Sequence, residues 1–198
     1  MPFDAVGSLL PSALNETAPM NLRILHRVFS LASSVILLLT ISGSVLAQTN
    51  HPVDLNQFQG VWHEVARSPN LFQRNCQSST AEYRLRADGR IQVINRCTTS
   101  DGGCRTIQGT ACSTNAPCNN QLIVSLDAPF ARRAERRGRV NYQIHYVSPD
   151  YQTAVVGTPR GRNVWVLSRA SQIAPQQLSY LKSIARNAGY RTDNLIAR

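Results

Sequence analysis

Val53-Asp54-Leu55-Asn56-Gln57-Phe58-Gln59-Gly60-Val61-Trp62-His63-Glu64-Val65-Ala66-Arg67 runs from a polar segment into a strand, Gly60–Arg67, that starts on a glycine and carries a tryptophan two residues later. Gly60 lets the backbone pass closely beneath neighbouring structure. Trp62 is large enough to floor one end of a closed barrel, and its indole N–H then seeks a backbone carbonyl. The next apolar run strengthens the barrel reading: Ala81-Glu82-Tyr83-Arg84-Leu85-Arg86 and Arg90-Ile91-Gln92-Val93-Ile94-Asn95 alternate with period two on either side of Ala87-Asp88-Gly89, a hairpin signal. Further strands are expected at Cys104–Cys112, Gln121–Asp127, Val140–Val147, Tyr151–Gly157 and Asn163–Arg169. Together they make eight, enough to close around one small ligand.

The period then changes. Pro175 can open a helix, Leu178, Leu181, Ile184, Ala185 and Ala188 recur at helical spacing, and Gly189 suits its stop. The fold expected is therefore all-β, an eight-stranded up-and-down antiparallel barrel with one C-terminal α-helix packed on its wall. No internal repeat or linker interrupts residues 48–198, which read as a single domain.

Residues 1–47 read as an N-terminal extension and signal peptide, with Met20 as a second candidate start. Arg23 and Arg27 precede an apolar run that ends in Val45-Leu46-Ala47, so cleavage is expected near Ala47 and the product is secreted or periplasmic. An uncleaved N-terminal membrane anchor is the alternative. No cysteine lies at the cleavage point, so a lipoprotein is not expected. The five cysteines, Cys76, Cys97, Cys104, Cys112 and Cys118, suit disulfides in an exported chain. Cys112 and Cys118 flank a turn and are the preferred pair, while Cys97 could close with Cys76 or with Cys104. No metal site is expected, because no C-x-x-C pair occurs and His51, His63 and His145 stand far apart.

Across all 198 residues the formal net charge is +10, with Lys182 the sole lysine, so the basic character is almost purely arginine. With 42% hydrophobic residues, 11 glycines and 10 prolines, collagen-like and disordered classes are excluded.

The opening stretch with its Gly60-Val61-Trp62, Tyr83 within Ala81-Glu82-Tyr83, the Ile91–Asn95 strand and Val164-Trp165-Val166-Leu167-Ser168-Arg169 before the helix resemble the lipocalin family, most nearly its bacterial members. The likeness spans essentially the whole mature chain. It implies a lipocalin calyx entered through a short 3₁₀ turn, with Gly60, Trp62 and Arg169 as structural residues. Arg169 can lay its guanidinium on the Trp62 indole. Tyr146-Val147-Ser148-Pro149-Asp150-Tyr151 departs from the family's second motif, keeping only its Asp-Tyr pair.

If Trp62 points inward, strict alternation also sends Glu64 and Ala66 inward. The same rule selects Ala81, Tyr83, Leu85, Ile91, Val93, Asn95, Leu122, Val124, Leu126, Tyr142, Ile144 and Tyr146 as lining. That wall is apolar with few polar anchors, as a small-molecule pocket requires. Glu64 inside it needs a partner, such as an inward arginine or Asn95. The resemblance implies a carrier of a small hydrophobic molecule of the fatty acid or lysophospholipid class. Arg132, Arg133, Arg136, Arg137 and Arg139 form a basic run that could meet an anionic membrane surface. A nucleic-acid partner is not expected, since neither a recognition helix nor a stacking platform accompanies the charge. No cofactor and no catalysis are expected, because nucleophile elbow, metalloprotease and phosphate-loop motifs are all missing from the sequence. A lipocalin-like enzyme, either an isomerase or one that modifies carotenoids or lipids, and an envelope-associated structural protein without ligand are the alternatives, and either a monomer or a dimer is compatible.

Overall fold

The computed structural model describes residues 52–128 and 138–198. Its strands are β1 (Gly60–Arg67), β2 (Cys76–Leu85), β3 (Ile91–Thr99), β4 (Cys104–Ser113), β5 (Gln121–Leu126), β6 (Tyr142–Val147), β7 (Thr153–Gly157), β8 (Val164–Ser168) and a two-residue β9 (Ile196–Ala197). Consecutive strands pair antiparallel from β2 round to β8, β8 pairs with β1, and β1 returns to β2, so the first eight close a barrel as expected. The β2–β3 register places Ala81 opposite Asn95 and Tyr83 opposite Val93, which puts the alternating apolar residues of both strands on one face. β9 adds to the far end of β1, through Ala66↔Ala197 and Arg67↔Ile196.

The interior holds Phe58, Trp62, Ala81, Tyr83, Ile91, Val93, Ala111, Leu122, Ile144, Ala154, Val156 and Leu167. A second apolar layer lies outside the barrel, where the helix α2 (Pro175–Asn187) sets Leu181, Ile184 and Ala185 on Val65, Ala66, Val155, Val164 and Val166. Pro175 occupies the start of α2, where a missing N–H costs nothing, and Gly189 takes φ +89° just past its end. β7 and β8 are thus apolar on both faces because they separate the barrel interior from the helix.

Two expectations about facing are corrected by β-bulges. The β1–β8 register shifts between Glu64 and Ala66, and the β6–β7 register shifts between Ile144 and Tyr146. An extra residue at each bulge reverses the alternation beyond it. Ala66 therefore faces the helix layer, and Tyr146 packs edge-on against Tyr180 of α2, with ring centroids 6.1 Å apart. The same reversal turns Val147 back towards the interior.

The preferred Cys112–Cys118 pair is also corrected. Cys112 and Cys118 are free and exposed, as is Cys104, and the one disulfide among the described residues joins Cys76 to Cys97. Ala111 is buried inside the barrel, so alternation sends Cys112 to the outer surface. The loop beyond it is closed by other means. Thr114 N–H donates to the Gln121 carbonyl, Cys118 N–H to the Asn115 carbonyl, and the Cys118 carbonyl accepts from Val53 N–H.

At the entry, a single α-helical turn, α1 (Leu55–Phe58), stands where a 3₁₀ turn was expected, capped by the Asp54 side chain on Asn56 N–H. β6 starts at Tyr142 and not at Val140, because β5 and β6 pair only at Gln121↔Gln143 and Leu122↔Tyr142. The Asn141 side chain takes over from the backbone there. Its Oδ1 accepts from Val124 N–H and its Nδ2 donates to the Val124 carbonyl, both at 2.7 Å.

Candidate functional site: a one-ended cavity

The closed end of the barrel is built around Trp62. Its indole N–H donates to the Phe58 carbonyl at 2.8 Å, and the Phe58 ring packs 5.0 Å from Trp62 and 5.1 Å from Tyr83. The Arg169 guanidinium carbon lies 3.8 Å from the indole centroid. Its nitrogens donate to the carbonyls of Val61, Gln57, Gln59 and Tyr151, tying α1, β1 and the β6–β7 turn together. Gly60 adopts φ +94°, and a Cβ there would come within 3.1 Å of Arg169 Nη1. The Ser148–Tyr151 turn, which departs from the family pattern, still serves this end: Tyr151 Oη accepts from Asp54 N–H, and the Ser148 hydroxyl takes both Gln152 and Thr153 N–H.

Above this floor the barrel encloses a cavity of about 900 Å³. Ala81, Tyr83, Val93, Ile107, Val124, Leu126, Tyr142, Val156, Trp165 and Leu167 supply most of the wall. Of the residues expected to line it, Glu64, Ala81, Tyr83, Val93, Asn95, Val124, Leu126 and Tyr142 do so. Leu122, Ile144, Leu85 and Ile91 belong to the same interior cluster but lie outside the cavity lining. Leu85 N–H is fastened there by the Gln59 side chain. Ala66 and Tyr146 lie outside the barrel for the reason given above.

Polar side chains, Asn95, Thr106 and Asn141 among them, interrupt the apolar wall, and two hydrogen-bonded arrangements stand out. The Tyr83 and Tyr142 hydroxyls pair with each other at 2.7 Å, and burial pushes both phenols above their ordinary range, so both are neutral. Glu64, 7% exposed, accepts from Gln73 Nε2 at 2.5 Å. Burial raises its carboxyl pKa, while the Gln73 hydrogen bond and the Arg67 and Arg198 charges oppose that rise. The partner of Glu64 is therefore a loop amide, with arginines acting at longer range. Gln73 is itself fixed: its Oε1 accepts from Trp165 Nε1 at 3.1 Å and from Asn70 Nδ2 at 2.7 Å, and its carbonyl accepts from Arg67.

Gln73, Trp165, Ile107, Val156 and Leu167 are lining residues that the sequence reading missed. Trp165 and Leu167 alternate with Val164 and Val166, so periodicity marks the strand but cannot say which face is inner when both are apolar. Gln73 sits in a one-turn 3₁₀ segment, Leu71–Gln73, where no periodicity exists to read. The basic run is mostly beyond view: Arg132, Arg133, Arg136 and Arg137 lie outside the described residues, as does the expected leader, while Arg139 is described and exposed. Among the described residues no group of His, Cys, Asp and Glu converges as a metal site would require.

The family model of the lipocalin-like domain matches residues 53–198, which carry this plugged eight-stranded barrel. The chain belongs to the lipocalin family. It is 30% identical to the outer membrane lipoprotein Blc of Escherichia coli, across 72% of this chain and 77% of that protein. Temperature-induced lipocalin-1 of Arabidopsis thaliana is 31% identical with the same coverages, and bovine apolipoprotein D is 28% identical over 66% and 68%. Among solved structures, the cockroach allergen Per a 4 superposes with a TM-score of 0.52 at 18% identity, covering 73% of this lipocalin and 87% of the allergen. Lobster apocrustacyanin gives 0.52 at 16% over 72% and 77%. Those two likenesses concern the fold. Membership makes this chain a lipocalin of the small hydrophobic ligand-binding kind.

Proposed function

We propose that this lipocalin is exported and carries a fatty acid, lysophospholipid or similar single-tailed hydrophobe inside the barrel, without turning it over. The observation that supports this most directly is the cavity of about 900 Å³, apolar along most of its wall and closed at one end by Trp62. That volume falls within the ~300–1,000 Å³ of small-molecule sites. Glu64, Asn95, Asn141 and the tyrosine pair offer few polar contacts, so affinity would come chiefly from burying the tail. Each methylene transferred from water contributes ~0.8 kcal/mol, about fourfold in Kd. The basic run Arg132, Arg133, Arg136, Arg137 and Arg139 would meet the anionic groups of an envelope surface.

The test uses the mature chain, residues 48–198, purified without detergent. Native mass spectrometry should show a bound lipid, and a fluorescent fatty acid should be displaced by alkyl chains of increasing length with the stepwise gain just given. Ala81→Trp, which places an indole in the cavity, should abolish probe uptake while the protein stays folded. Empty protein together with no probe binding would sink the carrier role.

A further inference from the structure

Three polar side chains stand at the deep end of the cavity. On β1 the lining ends at Glu64, on β2 at Tyr83 and on β6 at Tyr142. The next inward side chains towards the closed end, Trp62, Leu85 and Ile144, belong to the interior cluster but lie outside the lining. Direction along the barrel is fixed by contacts: the Gln59 side chain beside Gly60 holds Leu85 N–H, and Ile144 is nearer than Tyr142 to the turn whose Tyr151 meets Asp54. The leading end of an entering chain therefore stops at Glu64 and the tyrosine pair. A bare alkyl tail would set its methyl group on them and cover polar groups without giving them a hydrogen bond.

Counting donors and acceptors there points to the group that fits. The Tyr83 and Tyr142 hydroxyls carry two protons between them, and the bond that joins them uses one. The second has no acceptor among the described residues, so the pair offers one O–H to a guest. Gln73 engages Glu64 through Oε2, and Oε1 accepts no hydrogen bond among the described residues. The two features are neighbours, since the Glu64 charge acts on both phenols. A donor beside an acceptor suits a hydroxyl, which accepts one hydrogen bond and donates another. A carboxylate would only accept, and would meet the Glu64 charge; a ketone or ether would leave Oε1 uncovered.

We propose that the bottom of the cavity is a hydroxyl-binding subsite, where an alcohol group at the leading end of a long-chain ligand accepts from the Tyr83–Tyr142 pair and donates to Glu64. The inference rests on the carrier reading and adds which chains the carrier prefers. The apolar wall holds any tail in proportion to the area it covers. Discrimination comes from the bottom, because a site built to hydrogen-bond a hydroxyl rejects the analogue that lacks it.

The test is displacement of a fluorescent fatty acid from the lipid-stripped mature chain by hexadecanoic acid and its shorter homologues, and by the ω-hydroxy acid and the α,ω-diacid of each length. The best-fitting ω-hydroxy acid should compete at least about tenfold better than the unsubstituted acid of its length. A wholly apolar bottom would instead make it about tenfold weaker. Tyr83→Phe/Tyr142→Phe should lower the ratio by about tenfold or more, and its own uptake of the probe reports that the variant is folded. Diacids should compete worst, and Glu64→Gln, which removes the opposing charge, should improve them about tenfold. Unsubstituted acids or diacids that match the hydroxy acids, or a ratio unaltered by the double tyrosine variant, overturn the inference and leave the carrier role standing. No displacement by any of these chains, with no lipid in native mass spectrometry, overturns both.

Discussion

The hydroxyl pair of Tyr83 and Tyr142 gives the sharpest test of the cavity wall. The two oxygens lie 2.7 Å apart, and burial holds both phenols protonated, so one donates and the other accepts. Tyr83→Phe keeps the ring, and with it the contact to Phe58, but leaves the Tyr142 hydroxyl facing an apolar wall. A buried polar group left without a partner costs ~1–3 kcal/mol, whereas replacing both partners by apolar groups of the same shape is nearly neutral. Each single Phe variant should therefore lose ~1–3 kcal/mol and the double variant less than ~1 kcal/mol. The coupling energy across the cycle, the two single losses together less the double loss, is then at least ~1 kcal/mol. Urea unfolding of the four proteins, stripped of lipid, measures all of these terms. The double variant should also bind an alkyl probe more tightly, because no hydroxyl remains to be covered by the tail. Additive single losses below ~0.5 kcal/mol would refute the reasoning, since they would mean that water satisfies each hydroxyl and that the cavity wall is wet there.

At the closed end, Arg169→Leu should cost ~2–4 kcal/mol in urea unfolding, from the lost indole contact and the charge-assisted bonds to four carbonyls. Arg169→Lys should recover less than half, because an ammonium cannot fork between them; full recovery would contradict the assigned geometry. Glu64→Gln should stabilise the protein increasingly as pH rises. Burial raises the folded carboxyl's pKa, so the folded chain holds that proton more tightly than the unfolded one. Stability contributed by the proton is lost between the two values, with a slope of at most ~1.4 kcal/mol per pH unit. Melting temperatures of the two proteins should converge below the ordinary carboxylate range and separate towards neutrality; a constant difference would count against the assignment. Thiol titration should find Cys104, Cys112 and Cys118 reactive in the native protein and Cys76 and Cys97 only after reduction. Cys76→Ser should cost ~3 kcal/mol, the loop-entropy expectation for a 21-residue separation.

Local patterning determined the elements of this protein. Period-two alternation around Asp88-Gly89 fixed the β2–β3 hairpin, Pro175 and Gly189 bracketed α2, and Gly60-Val61-Trp62 with Arg169 marked the plugged end. Each signal is carried by neighbours in the chain, and each survives folding because turn and cap chemistry are local. Facing was legible only as far as the alternation ran unbroken. It selected Glu64, Ala81, Tyr83, Val93, Asn95, Val124, Leu126 and Tyr142 for the cavity lining, and failed at Ala66 and Tyr146. A bulge is set by the register of the partner strand, which the residues on one strand do not encode.

The tertiary structure alone decided the remaining features. Which apolar face of β8 looks into the cavity depends on where α2 docks, and the partner of Glu64 is an amide in a loop without periodicity. Which thiols meet depends on the β2–β3 register, shifted between Cys76 and Ser78, that brings Cys76 to Cys97 while β4 turns Cys112 outward. These are pairings between residues distant in sequence, fixed when the barrel closes and every buried polar group must find its partner at once.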